Sequence, residues 1–262
     1  MKFILFFSLF FTYFSEAYST VQKIKSKRVE CLIKAYPDFF CSVKGNILKT
    51  CQGQEWVYQK GMVHKKFQEK LKDPSLKDQM ELFYPKGKVS WPLPLNFDPG
   101  RMRYEPFFRK FYGSSRKEVE KNIVSVPWLP TYTKKTLRVT KIHGVDKKLR
   151  AISSEIEKLP EKIRKHVYNP QGGFHWRVIK GTKRLSMHSF GVAVDLFPPS
   201  GKSYWKLSHP DKNKLYAYKN TFPLEIVSIF EKHGFIWGGK WYHFDSLHFE
   251  YRPELLLDNC QR

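Results

Sequence analysis

The sequence predicts an α+β fold, because helical and strand patterns are mixed without the regular alternation of a parallel sheet. Apolar residues recur at helical spacing over 145–158. A second helical pattern begins near Pro223 and ends at Gly234. Runs rich in apolar and aromatic residues predict three strands, at Gly172–Ile179, Val192–Phe197 and Leu247–Tyr251.

The first half of the chain predicts shorter elements. In chain order these are a helix over 22–36 that ends at Pro37, β-like runs around 41–50 and 55–59, a proline-rich linker over 84–100, a short helix over Arg103–Gly113, and a further helix capped by Ser114 or Ser115 and running through Asn122.

The N-terminus has the pattern of a secretory leader. Lys2 precedes an apolar run, Phe3–Phe14, that is shorter than the roughly 20 residues needed to span a bilayer. Small residues before Thr20 suggest cleavage there, which makes residues 1–19 a signal peptide; the alternative is an uncleaved membrane anchor. We expect an exported protein of the periplasm or cell envelope with no stable membrane span after cleavage. A boundary near residue 130 separates an N-terminal extension (20–130) of unassigned role from a compact part (131–262).

The formal net charge of +23 favours polyanionic partners, namely nucleic acid, acidic lipid or an acidic wall polymer. Export makes nucleic acid the least expected of the three, so no nucleic-acid partner is predicted. The alternative is a lysine-rich solvated surface without a specific partner.

The even number of cysteines, four in an exported chain, predicts disulfides: Cys31, Cys41, Cys51 and Cys260. None has the spacing of a zinc ribbon. The stretch "CSVKGNILKTC" is typical of a hairpin that turns at Gly45-Asn46. A three-residue loop would set Cys41 opposite Cys51, and a two-residue loop would put them on opposite faces, so the sequence leaves the connectivity open.

An aspartate in an apolar strand is the first sign of a site. In "GVAVDLF" strand alternation puts Val192 and Val194 on one face and Asp195 on the other. A buried carboxylate must be hydrogen-bonded, paired or bound to a metal, because bare burial costs several kcal/mol. His188 precedes the strand in a turn that Gly191 permits, so its ring is expected to reach the same pocket.

A second polar cluster, "WYHFDSLHFEYRPE", follows about 50 residues later. Zinc favours imidazole and carboxylate ligands, and catalytic zinc sites keep three protein ligands. His188, Asp195 and His248 supply that set. His243 is the spare candidate, since it lies before Asp245 in a predicted turn.

The two motifs together resemble the zinc D-alanyl-D-alanine carboxypeptidase family, which includes VanY-type carboxypeptidases and phage L-alanyl-D-glutamate endopeptidases. The family pattern is serine, one residue, histidine, six residues and aspartate, and later an acidic residue, two residues and a histidine. "SMHSFGVAVD" and "DSLHFEY" fill every position. The resemblance extends over residues 138–255 and implies a small antiparallel sheet with flanking helices around a zinc site.

The resemblance implies that His188, Asp195 and His248 bind zinc (Zn2+) and that Asp245 is the catalytic general base. Strand parity offers Glu250 as a competitor, because it shares a face with His248; Asp245 requires a turn before the strand begins. The resemblance also implies that Arg177 and Ser186 bind the substrate. The simpler alternatives are that Arg177 is a solvated surface cation and that Ser186 caps the turn.

The predicted function is zinc-dependent hydrolysis of peptide bonds in peptidoglycan stem peptides. The motifs do not distinguish a carboxypeptidase from an endopeptidase, and the oligomeric state is not predicted. Two alternatives stay open: a non-catalytic zinc-containing binding module of the same fold, as in hedgehog domains, and a basic polyanion-binding protein whose zinc is structural and closed by a fourth protein ligand.

Overall fold

The computed structural model describes residues 28–60, 64–199, 201, 204–207, 216, 218 and 222–257. The predicted leader, the start of the first predicted helix and Cys260 lie outside these residues. Within them, helices and antiparallel strands are interspersed, which confirms the α+β class. Across the same residues, no helix has the length and apolar character that crossing a membrane requires.

The helices are α1 (28–35), α2 (Phe67–Lys72), α3 (Leu76–Gln79), α4 (Glu105–Tyr112), α5 (Arg116–Glu120), α6 (Val145–Glu157), α7 (Glu161–Arg164) and α8 (Leu224–Lys232). The strands are β1 (Phe40–Lys44), β2 (Ile47–Thr50), β3 (Glu55–Val57), β4 (Ile123–Trp128), β5 (Lys135–Thr140), β6 (Pro170–Gly172), β7 (Ala193–Leu196), β8 (Phe235–Trp237) and β9 (His248–Tyr251).

The strands form three antiparallel sheets in the described part of the chain. The first has the order β1-β2-β3, the second is the β4-β5 hairpin, and the third has the order β6-β7-β9-β8. In the third sheet β9 pairs with both β7 and β8. This sheet carries the residues of the predicted site, with 3₁₀ turns at Met187–Phe190 and Gly238–Lys240 on its borders.

Helices α6 and α8 cover the four-stranded sheet and the β4-β5 hairpin. Val145, Leu149 and Ile152 are fully buried on one face of α6, as their helical spacing predicts. The Phe230 ring of α8 stacks on the Phe249 ring of β9 with centroids 4.1 Å apart. Each such side chain contributes roughly 1.5–3 kcal/mol of hydrophobic stabilisation.

The N-terminal extension packs into the same core as the strands of the site. The β4-β5 hairpin spans the predicted boundary at residue 130. Farther upstream, the Tyr84 hydroxyl donates to Glu231 Oε1 at 2.7 Å and accepts the Trp237 N–H at 3.0 Å. Lys240, which is fully buried, pairs with the same Glu231 carboxylate and donates to the Pro85 carbonyl. Hydrogen bonds therefore hold the proline-rich segment against the elements around the site.

The strand predicted over Gly172–Ile179 is wrong beyond its first residue. After Gly172 the backbone bonds to other segments: Phe174 N–H to the Arg138 carbonyl at 2.6 Å and His175 N–H to the His188 carbonyl at 3.0 Å. Only Val178 regains a β-bridge, to Leu185. The apolar pattern resembles a strand, but after Gly172 the backbone forms no continuous ladder with a neighbouring strand.

The cysteine hairpin has the two-residue loop, with Lys44 opposite Ile47, yet Cys41 and Cys51 are joined by a disulfide. A β-bulge between Phe40 and Ser42 makes this possible, because it adds one residue to β1 and shifts the pairing. Cys31 is also disulfide-bonded, and the described residues contain no free cysteine.

The Cys41–Cys51 disulfide closes a loop with a sequence separation of 10. Replacing both residues by serine should therefore lower the free energy of unfolding by about 2–3 kcal/mol through loop-closure entropy. Denaturant unfolding of the variant and the parent measures the difference. Alkylation of Cys41 or Cys51 in the denatured, unreduced parent would contradict the assignment.

Candidate metal centre

Three predicted ligands meet at one point of the four-stranded sheet. Asp195 Oδ1 lies 3.2 Å from His188 Nε2 and 3.1 Å from His248 Nδ1. One ligand atom from each residue falls within 4.8 Å of the other two. Both histidines are buried, with 4% and 8% of their surface exposed. Two imidazoles and a carboxylate at this spacing are a donor set suited to zinc.

Sheet register explains how the cluster forms. Asp195 in β7 lies directly opposite His248 in β9, so their side chains share a face. His188 reaches the same face from the 3₁₀ turn Met187–Phe190, which ends at Gly191 with φ +68°. A Cβ on Gly191 would lie 2.5 Å from Ile123 Cδ1 and 2.9 Å from the Thr140 nitrogen, so glycine is required for both conformation and space.

The second ring nitrogen of each histidine is held by a hydrogen-bond acceptor. His188 Nδ1 lies 2.7 Å from the Gly173 carbonyl oxygen, and His248 Nε2 lies 2.9 Å from Glu250 Oε2. Such partners fix the tautomer and leave the opposite nitrogen free to bind a metal. His188 Nε2 is buried and makes no hydrogen bond within the described residues. A metal ion would satisfy it, so the residues present fit zinc.

The electrostatics of the cluster favour positive charge at its centre. Burial alone would raise the pKa of Asp195, but the neighbouring His188 and His248 outweigh it and lower that pKa strongly. Burial would lower the pKa of His248, but the hydrogen bonds and charges of Asp195 and Glu250 raise it to about 9. The carboxylates therefore stabilise either a proton or a metal cation at this position.

Asp245 occupies a turn that precedes β9, as the general-base prediction requires. Its N–H donates to the Gly238 carbonyl at 2.9 Å, and its own carbonyl accepts the His248 N–H at 3.2 Å. Burial is the main cause of its raised pKa; the nearby His248 and Arg101 act against burial, and Asp195 adds to it. Asp245 is thus not one of the three clustered residues, and its carboxyl group interacts electrostatically with His248 and Asp195.

Glu250, the competing candidate for the general base, is fully buried, and its carboxylate is surrounded by partners. It accepts from His248 Nε2, pairs with Arg103 and lies 3.0 Å from Arg252 Nη1. Burial would raise its pKa, but these cations lower it strongly. A carboxylate in this position holds the ring of His248, a predicted ligand, and is fully buried.

Arg177 and Ser186 flank the cluster. The Arg177 side chain is exposed, and its guanidinium makes no hydrogen bond or ion pair to any described residue. Its backbone is tied to the histidine turn, because its N–H donates to Ser189 Oγ and its carbonyl accepts the Ser186 N–H. Ser186 is buried and its hydroxyl accepts the His188 N–H at 3.4 Å, so it caps the turn.

His243 lies outside the metal cluster. Its Nδ1 lies 2.6 Å from Asp98 Oδ2, and its N–H donates to Asp98 Oδ1 at 2.8 Å. Its ring packs against Phe67 and Trp205. The part of the chain described here therefore offers three ligands at this point, which leaves room for a water or substrate on a four-coordinate metal.

A segment that the sequence marked as a linker forms one wall of the site. The Phe97 carbonyl accepts the Tyr242 N–H at 2.8 Å, the Pro99 carbonyl accepts Trp241 Nε1–H at 2.6 Å, and Arg101 Nη1 donates to the His243 carbonyl at 3.0 Å. The Trp241 ring in turn lies 5.7 Å from the His248 ring. The sequence did not identify Arg101 and Arg103, the two arginines of "DPGRMR", as part of this wall. The feature that could have indicated them is a pair of cations directly after a Pro-Gly turn.

Comparison with known families agrees with this geometry. The family model described as D-alanyl-D-alanine carboxypeptidase matches residues 180–251. The matched segment contains all three cluster residues and Asp245, and it supports the zinc D-alanyl-D-alanine carboxypeptidase family that the two motifs suggest. No curated protein and no solved structure matches the chain. The match over this segment supports a zinc peptidase of carboxypeptidase type in general.

We expect His188, Asp195 and His248 to hold one zinc ion per chain. Replacing His188 or His248 by Ala removes a ligand, so elemental analysis after dialysis should find well below one equivalent of zinc. His243→Ala is the matched control, because this histidine pairs with Asp98 instead, and it should keep a full equivalent. Full zinc content in both ligand variants would show that the ligand set is wrong.

Proposed function

We propose that this protein is an exported zinc peptidase that hydrolyses peptide bonds in peptidoglycan stem peptides, as a carboxypeptidase or a related endopeptidase. The observation that carries the proposal is the three-residue cluster with one non-ligand carboxyl, Asp245, at its edge. The family match over residues 180–251 supports the reaction class. The wall-peptide substrate is inferred from the family resemblance.

A zinc ion held by the cluster would lower the pKa of a bound water and polarise the scissile carbonyl. Asp245 would take the proton of the attacking water and pass it to the leaving amine. The raised pKa of Asp245 suits both proton transfers, because a base whose pKa is nearer to neutrality releases the proton to the leaving amine more readily. Glu250 would hold the His248 ring in place, with its carboxylate fixed between Arg103 and Arg252.

Arg177 would bind a substrate carboxylate or the developing oxyanion. A guanidinium suits either task, because its forked N–H groups match two oxygens. Its exposed side chain next to the histidine turn, with no partner in the described residues, supports that role. Ser186 would offer its hydroxyl to the substrate from the same turn.

The basic surface and the predicted leader support a role at the cell wall. A net charge of +23 favours a polymer that carries many carboxylates. A disulfide between Cys41 and Cys51 is typical of an oxidising compartment outside the cytoplasm.

The test is digestion of purified peptidoglycan by the zinc-loaded protein, with mass spectrometry of the fragments. We expect release of peptides or D-alanine from the parent and about 10²–10⁴-fold slower release from Asp245→Asn, because an amide cannot take a proton from the attacking water. The fragment masses identify the bond and so distinguish a carboxypeptidase from an endopeptidase.

Zinc content must be matched between the parent and Asp245→Asn, since loss of metal would imitate loss of the base. A variant that cuts at the parent rate would exclude Asp245 as the base. A parent that cuts no wall peptide would contradict the proposed activity and favour a binding module of the same fold.

A further inference from the structure

The turn that leads into Asp245 is bonded to a segment of the N-terminal extension. Residues 97–101, which lie outside the family match, form hydrogen bonds with each residue of Trp241–His243. Asp245 follows this turn after one more residue, and its own N–H donates to the Gly238 carbonyl at 2.9 Å. The path of the chain into the predicted general base therefore depends on a contact between distant parts of the sequence.

The Asp98 carboxylate is at the centre of this contact. One of its oxygens accepts the His243 N–H at 2.8 Å, and the other lies 2.6 Å from His243 Nδ1, although the two residues are 145 positions apart. Arg101 Nε lies 3.8 Å from the same carboxylate, and Arg101 Nη1 donates to the His243 carbonyl at 3.0 Å. Asp98 and Arg101 thus hold the N–H, the carbonyl and the ring of one residue.

The burial of Asp98 indicates that this contact has a specific role. Its side chain is fully buried, and burying a carboxylate costs several kcal/mol unless its partners compensate. Metal binding does not explain the pair, because neither Asp98 nor His243 belongs to the metal cluster. What the two bonds to His243 do is fix the conformation of the turn two residues before Asp245.

The segment that carries Asp98 is itself anchored on another side. Arg252 Nη1, from the buried network around Glu250, donates to the Gly100 carbonyl at 2.7 Å. Gly100 has a φ of +95°, and a Cβ at this position would collide with Ile236 Cδ1 in β8. The segment is therefore packed closely against the four-stranded sheet, and such a rigid support can hold a catalytic group in a precise position.

We propose that Asp98 is a positioning residue, which clamps the Trp241–His243 turn so that the Asp245 carboxylate can take a proton from the attacking water. The inference rests on the proposed function, in which Asp245 is the general base. Asp98 acts through Asp245 and has no contact with the substrate in this role. A displacement of about 1 Å caused far from the reacting atoms can cost about 100-fold in rate, so a loosened turn should slow the reaction.

The test is a double-mutant cycle of Asp98→Asn and Asp245→Asn on purified stem peptides at matched zinc content. Asp98→Asn should lower kcat about 10–100-fold and leave KM within about twofold, because an amide cannot accept from both the His243 N–H and the His243 ring. In the Asp245→Asn background the same change should cost little more, since no base is left to position. An equal fall in both backgrounds would show a merely structural role and overturn the inference.

Asp78→Asn is the matched control, because it removes a carboxylate whose bonds lie within the extension. Asp78 accepts the Ser75 N–H at 2.8 Å and pairs with Lys65 at 3.2 Å, so its loss should leave kcat at the parent value. His243→Ala is a second variant, which removes only the ring from the clamp. It should lower kcat by less than Asp98→Asn does, and a kcat unchanged in both variants would contradict the clamp.

Hydrogen exchange followed by mass spectrometry tests the clamp without a substrate. The Tyr242 and His243 amides, which donate to the clamping segment, should exchange faster in Asp98→Asn and at the parent rate in Asp78→Asn. Unchanged exchange in Asp98→Asn would overturn the clamp whatever the activity. A parent that cuts no stem peptide, with exchange that changes as expected, would contradict the proposed function and leave the clamp supported.

Discussion

The buried carboxylate of Glu250 is the interaction on which the site depends. It has no exposed surface, yet it contacts the ring of a predicted metal ligand, His248, and two arginines, Arg103 and Arg252. Removing one partner of such a buried network typically costs 3–5 kcal/mol, because another charge is left uncompensated. The network therefore constrains both the metal centre and the fold around it.

The same network extends through the core to the N-terminal part of the chain. Arg252 Nε donates to Glu254 Oε1 at 2.6 Å, and Glu254 accepts the Tyr36 hydroxyl at 2.8 Å. Arg252 also donates to the Gly100 carbonyl, within the segment that walls the site. The family match begins only at residue 180. Arg103, which lies before the matched segment, pairs with Glu250, so the extension packs against the matched segment through this network.

Much of the centre could be predicted from the sequence, because it depends on local periodicity. Strand alternation put Asp195 on the face opposite Val192 and Val194, and Gly191 indicated the turn that carries His188. The choice between Asp245 and Glu250 could not be made from parity. The structure adds two observations that parity cannot give: a tertiary hydrogen bond to Gly238 holds the turn of Asp245, and two arginines pair with Glu250.

Long-range contacts account for the rest of what the sequence did not reveal. Arg103 and Glu250 are 147 residues apart, and no local pattern links them. The stretch after Gly172 resembled a strand, but its backbone bonds to the distant Arg138 and to His188. In the cysteine hairpin, a bulge of one residue decided the pairing that loop length alone left open.

The most direct test of this account is the zinc affinity of Glu250→Gln against that of the parent, measured by competition with a chromophoric chelator. If Glu250 fixes the His248 ring, zinc should bind about 10–100-fold more weakly to a variant that is still folded by circular dichroism. Zinc affinity equal to that of the parent would contradict the account, because the buried network would then serve the fold alone.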